Sequence, residues 1–166
     1  DVSTVLDDLE KQNTTDGDFK DRLDLEALGL LGHSTGGGGN VFIALKDNRI
    51  KALLGLDAWV NPLGTDMLKQ GLEIPSLFIR SEQWSKGPNN VTLGTLIRNS
   101  QDATLLQMNR TAHVDFSMSY MFSPLMKYIG FSGEMGGRNA AEIQKELILD
   151  FFDFNLRNPN DLSAND

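Results

Sequence analysis

Hydrophobic and polar positions change period repeatedly along this chain, and each change marks the edge of an element. Short, nearly unbroken apolar runs at Ala27–Leu31, Lys51–Leu56, Ile74–Arg80 and Ala103–Met108 have the length of strands rather than helices. Pro75 stands at the start of the third run, where a missing N–H is tolerated. Between the runs the apolar residues return at helical spacing, as Val41, Phe42 and Leu45, and again as Val91, Leu93, Leu96 and Ile97 within 90–99. A short helix is expected at Thr65–Gln70. Ahead of the first run, Val2, Val5, Leu6 and Leu9 predict a helix ending near Gln12, and the polar, acidic stretch 13–24 reads as a loop. At the far end Ile143, Leu147, Phe151 and Phe154 draw one stripe along a last helix that stops before Pro159. The segment 116–131, rich in Met and aromatic residues, reads as an apolar helix or cap. Nearly continuous apolar strands that alternate with helices predict a single α/β domain over residues 1–166, its mostly parallel sheet covered by helices on both faces.

The junction between the first strand and its helix carries the chemistry. Gly32-His33-Ser34-Thr35-Gly36 fits the G-x-S-x-G pattern of a nucleophile elbow, and Gly37, Gly38 and Gly39 run on into the helix. A serine at the tip of so sharp a turn takes strained, positive-φ backbone, and the glycines two before and two after it are expected to pass too close to their surroundings to carry a Cβ. Each glycine inside a helix loses roughly 1 kcal/mol against alanine, so four in succession require a second reason. Close strand–helix approach and free N–H groups beside the serine supply it. No Gly-Lys-Ser/Thr follows and no G-x-G-x-x-G register occurs, which excludes a phosphate loop and a dinucleotide fingerprint.

Composition narrows the classes further. The 166 residues suffice for one domain with a sizeable core. A net charge of −8 argues against a nucleic-acid partner, and no basic run invites an anionic membrane surface. With no cysteine, two histidines and no H-E-x-x-H, neither a disulfide nor a metal site is expected, and no motif asks for a cofactor. Asp16, Asp18 and Asp21 do not make a calcium loop, because Lys20 stands where an oxygen ligand is needed. Asn13, Asn90 and Asn109 each head an N-x-Ser/Thr sequon, a number close to chance for this composition, so the compartment stays open.

A serine hydroxyl needs a base to take its proton, and the base needs an acid to orient it. His33 adjoins the serine on a sharp turn, so its side chain is expected to point away and to pack or hydrogen-bond inside the fold. His113, in the loop after the fourth strand, is then the available base. In a parallel sheet functional groups gather beyond the carboxyl ends of the strands. Ser34, Asp57, Glu82 and His113 each follow a different strand at that end. Either Asp57 or Glu82 can serve as the acid, and Asp115 is a weaker third, being too near His113 in sequence to face its ring. Spacing leaves the choice open.

Gly-His-Ser-Thr-Gly-Gly at 32–37, Leu-Asp-Ala-Trp-Val-Asn-Pro-Leu-Gly at 56–64, Pro-Ser-Leu-Phe-Ile-Arg-Ser-Glu at 75–82 and Ala-His-Val-Asp-Phe at 112–116 resemble the plasma and type II platelet-activating-factor acetylhydrolases. These are calcium-independent serine phospholipases of the α/β-hydrolase superfamily, and the resemblance runs from about residue 24 to 131. It implies an α/β-hydrolase fold with Ser34 as nucleophile, Asp57 as acid and His113 as base, and it gives Glu82 no such role. It further implies that the Thr35 N–H serves the oxyanion and that Trp59, with Phe116, lies at the acyl pocket. The implied reaction is hydrolysis of short or oxidised acyl esters at a phospholipid sn-2 position, so the expected partner is a small lipid or ester. The superfamily takes its second oxyanion donor from a loop after an early strand. By that resemblance this chain corresponds to the C-terminal part of the fold, with the remaining strands expected upstream or on another chain. Alone, the first strand would then expose an apolar edge. A broader carboxylesterase or polyester hydrolase and a non-catalytic lipid- or partner-binding module are the competing readings. Met118, Met121, Phe122, Met126 and Tyr128 in 116–131 either pack on the sheet and line the acyl pocket or touch a lipid surface.

Overall fold

The computed structural model describes residues 2–121, 123, 125 and 128–157. Helix α1 spans Val2–Thr14, and β1 (Leu28–His33), α2 (Ser34–Ala44), β2 (Ile50–Leu56), α3 (Thr65–Gln70), β3 (Ser76–Ser81), α4 (Asn89–Asn99) and β4 (Ala103–Met108) then alternate. Short 3-10 turns at Trp84–Lys86, His113–Phe116 and Met118–Met121 precede a long final helix, α5, over Gly137–Leu156.

The strands lie in the order β1-β2-β3-β4, and every pairing is parallel. Each strand reaches its neighbour through a helix, which is the connection parallel pairing demands. Register sorts the side chains. Leu54 stands beside Leu77 and Leu56 beside Ile79, all on one face, while Phe78 beside Gly55 belongs to the other. On the second face Leu53 and Phe78 pack against Val41 of α2 and Leu45 just after it, Leu68 of α3, and Leu93 and Leu96 of α4. On the first face Leu54, Leu56, Leu77, Ile79 and Met108 pack beneath α5, with Ala140 buried and Leu147, Ile148, Phe151 and Phe152 partly so. Helix α1 joins through Leu6, which meets Ile43 and Ile50. Helices therefore cover both faces, as the pattern of the chain predicts. Each fully buried Leu, Ile or Phe contributes about 1.5–3 kcal/mol through the water it escapes.

Two expectations change. The stripe on α5 is displaced: Ile143 and Phe154 are exposed, and the inward face runs through Ala140, Gln144, Leu147, Ile148, Phe151 and Phe152. Gln144 hides this face from a hydropathy reading. It is buried because its side-chain amide donates to the Asp115 carbonyl at 3.1 Å. Among the described residues of 116–131 the apolar helix offered as one reading is replaced by the 3-10 turns already noted, with Met118, Met121 and Tyr128 exposed. Phe122 and Met126, named in that reading, lie outside the described residues, as does Pro159. Among the described residues β1 pairs only with β2, and its Leu31 is 47% exposed.

Candidate active site

Strand β1 runs straight into α2, and the reversal falls on Ser34, whose φ is +55°. His33 before it is still extended, at φ −107° and ψ 141°. Gly32 makes the turn possible, since a Cβ there would stand 2.7 Å from both the Asn40 side chain and the Gly37 nitrogen. The matching expectation for Gly36 is corrected: among the described residues a Cβ at that position meets nothing outside its own helix within 4 Å. The close approach comes one and two residues later. A Cβ on Gly37 would press on the Gly32 carbonyl at 2.8 Å and on Ala58 at 2.9 Å, and one on Gly38 would run into the Trp59 carbonyl. The glycines thus let α2 slide under the turn that follows β2. That turn is tied back by Trp59 N–H, which donates to the Ser34 carbonyl at 2.8 Å. Buried Asn89 holds it from the other side, accepting from Val60 N–H and donating to the Ala58 carbonyl, both at 2.9 Å.

Asp57 ends β2 in the left-handed region, with φ +41°, and is 2% exposed. Its carboxylate accepts from the Ser81 N–H at 2.7 Å and from the Ser81 hydroxyl at 2.6 Å. Oδ2 also lies 3.0 Å from His113 Nδ1, and His113 Nε2 lies 3.0 Å from Ser34 Oγ. The structure thus brings a hydroxyl from the start of α2, an imidazole from the turn after β4 and a buried carboxylate from the residue after β2 into one hydrogen-bonded row. In such a row the carboxylate fixes Nδ1–H, and Nε2 is left to take the hydroxyl proton. Thr35 stands in the first turn of α2, where N–H groups have no intrahelical partner.

The rival carboxylates are engaged elsewhere. Glu82 accepts the Arg110 N–H at 2.7 Å and pairs with Lys86 at 3.5 Å, and these two contacts, the first foremost, hold its pKa below the usual value. Asp115 is buried and accepts from Ala112 N–H at 2.8 Å, Gly133 N–H at 2.8 Å and the Ser132 hydroxyl at 2.5 Å. It secures the turn that carries His113 instead of facing its ring.

His33 turns inward, as its place beside the serine predicts. Its Nε2 lies 3.2 Å from the His113 carbonyl, and its ring centroid is 4.4 Å from that of His113. Burial, and then the neighbouring charge of His113, lower its pKa, and because a carbonyl can only accept, Nε2–H is the donor of that bond. Trp59 is 41% exposed and, with Asn61, Trp84, Pro88 and others, lines a crevice of about 260 Å³. Phe116, expected at the pocket, is corrected: it is 5% exposed and packed with Leu54, Leu56 and Met108 under α5. The 3-10 turn His113–Phe116 faces the ring of its first residue to the serine and buries its last.

Sequence reasoning missed Ser81, Gln83 and Trp84. The Gln83 side-chain oxygen accepts the His113 N–H at 2.8 Å, and the Trp84 indole stacks on the His113 ring. Their signal was position, since they flank Glu82 at the carboxyl end of β3. Among the described residues no cluster of His, Asp or Glu is placed to hold a metal, and no helix is long and apolar enough to cross a membrane.

A family model described as platelet-activating factor acetylhydrolase, isoform II, matches residues 5–166. The chain is 26% identical over 154 residues to a platelet-activating factor acetylhydrolase of Gallus gallus, covering 89% of this chain and 36% of that protein. It is 22% identical over 140 residues to the one of Bos taurus, covering 83% and 31%. The chain therefore spans about a third of the length of these curated relatives. Among solved structures it is similar to a ferulic acid esterase from Streptomyces cinnamoneus, with a TM-score of 0.69, 20% identity, and coverage of 94% of this chain and 48% of that one. A dienelactone hydrolase from Anabaena variabilis gives a TM-score of 0.56 at 19% identity, over 79% and 50%. These likenesses establish the α/β-hydrolase fold.

Proposed function

Because the chain belongs to the platelet-activating factor acetylhydrolase isoform II family, we propose that it acts as a serine ester hydrolase, with Ser34, His113 and Asp57 as its triad. Ser34 Oγ attacks the ester carbonyl as its proton passes to His113 Nε2. Asp57 holds the imidazole by Nδ1–H and stabilises the positive charge that forms. The tetrahedral oxyanion takes the Thr35 N–H, and losing one such donor costs on the order of 3 kcal/mol. Collapse returns the proton to the leaving alcohol and leaves an acyl group on Ser34, which water removes by the same steps in reverse.

The observation that carries this reading is the pair of 3.0 Å contacts linking Ser34, His113 and Asp57. Membership of the family supports a substrate class of esters of short or oxidised acyl chains, at the sn-2 position of a phospholipid. Exposed Met118, Met121, Tyr128, Ile129 and Phe131 support a peripheral contact with the lipid surface that presents such a substrate. The test is labelling with a fluorophosphonate, read by peptide mass, beside turnover of a short-chain sn-2 phospholipid and of a nitrophenyl ester. Labelling at Ser34 and preference for the phospholipid are expected. Equal turnover of both esters would mark a broad carboxylesterase, and no labelling at Ser34 a binding module.

A further inference from the structure

The turn that leaves β3 grips two members of the row at once. Ser81 donates its N–H and its hydroxyl to Asp57, and the Trp84 N–H donates to that same hydroxyl at 3.2 Å. Gln83 accepts the backbone N–H of His113. Trp84 then lies flat on the imidazole, with ring centroids 4.1 Å apart and planes within 5° of parallel. Resting on the reading of His113 as a base, we propose that Trp84 is a positioning residue that makes His113 a stronger base by presenting the face of its indole to the imidazolium.

Indole carries a negative face, and a cation held over it is attracted where a neutral ring is only packed. The His113 ring gains a positive charge as it takes the Ser34 proton, so the contact strengthens as the reaction proceeds. The other groups around the ring do not duplicate this. Asp57, just after β2, favours the cation through Nδ1. His33 on β1 opposes it when charged, and its burial disfavours that charge. Glu82 is turned to Arg110 N–H and Lys86, and Asp115 to Ala112, Ser132 and Gly133. A flat ring also fixes the imidazole plane, so that Nδ1 and Nε2 stay aimed at Asp57 and Ser34 together.

The test is an NMR titration of the histidine C–H signals in the full chain without substrate, with His33→Asn assigning the two rings. Trp84→Leu is expected to lower the His113 midpoint by about half a unit to one unit, the size of a cation–π contact, while Trp84→Phe keeps most of it. A midpoint in Trp84→Leu equal to or above that of the parent would overturn the proposal. Should Trp84→Leu not fold, Trp84 emission in a Trp59→Phe background serves instead. It should be quenched on acidification with the midpoint of the His113 signal, and a flat emission through that midpoint would overturn the proposal. Both readings come from the resting protein, so they stand apart from labelling at Ser34, which tests the hydrolase reading itself.

Discussion

Glu82 accepts the backbone N–H of Arg110 at 2.7 Å, and that bond turns its carboxylate away from the imidazole of His113. Arg110 has φ +63°, so the chain is bent sharply where it offers this N–H. Glu82 thereby fastens the end of β4 to the end of β3, and Asp57 alone of the two strand-end carboxylates meets His113. Asp57→Asn should lower kcat for ester hydrolysis on the order of 10³–10⁴-fold, because an amide no longer holds the productive tautomer. Glu82→Gln keeps an oxygen for Arg110 and should leave kcat near that of the parent. Steady-state kinetics on the two variants decides it, and the reverse result would remove Asp57 from the row.

Packing around the elbow separates glycines that look alike in sequence. Gly36→Ala places a methyl group where nothing outside α2 lies within 4 Å, so it should gain up to about 1 kcal/mol of helix propensity. Gly38→Ala drives a methyl group into the Trp59 carbonyl and should cost about 1–3 kcal/mol or more. Thermal melts should show Gly36→Ala level with or above the parent and Gly38→Ala several degrees below it, at about 2–4 °C per kcal/mol for a chain of this size.

These two cases mark what the sequence could and could not convey. The strands and their order of chemistry were legible, because each parallel strand is a nearly continuous apolar run and its carboxyl end is where polar residues resume. Ser34 and His113 were legible because one lies in a turn with few permitted residues and the other has no competitor. The acid was not legible from spacing: Asp57 and Glu82 hold equivalent strand-end positions, and a backbone hydrogen bond from β4 separates them. Gly36 and Gly38 differ only in what the turn 57–60 places over them. Phe116 was misassigned because apolar character does not tell a pocket wall from a core, and Gln144 lay hidden because a buried amide looks like a surface one.

Asp115 holds the His113 turn together without touching the row. Its carboxylate gathers three donors, from Ala112, Gly133 and Ser132, and its carbonyl accepts from Gln144 on α5. Asp115→Ala strands two part-buried backbone N–H groups, each costing up to about 1–3 kcal/mol. The variant should melt well below the parent. At a temperature where it is folded, kcat should fall more than KM rises, since the loss is one of aim. Asp115→Asn keeps one acceptor oxygen and should sit between the two. Parent-like kcat in folded Asp115→Ala would show that the turn holds its shape without the carboxylate.

His33 gives the fold a dependence on pH whose sign follows from its surroundings. Burial foremost, and then the charge of His113, lower its pKa from the ordinary 6.5; Asp57 and the bond to the His113 carbonyl oppose this without reversing it. In the unfolded chain the ring takes its proton as pH falls through about 6.5, while in the folded chain it resists until a lower pH. Above that range both states hold it neutral, and it contributes no slope. Below it the unfolded state binds the extra proton, so stability drops as pH falls, and the drop is complete once the folded ring is also charged. His33→Gln retains a side-chain donor for the His113 carbonyl and cannot titrate. Urea unfolding at pH 7.5 and at pH 5 should therefore show a smaller acid loss in His33→Gln than in the parent, and parallel losses would mean that His33 titrates alike in both states.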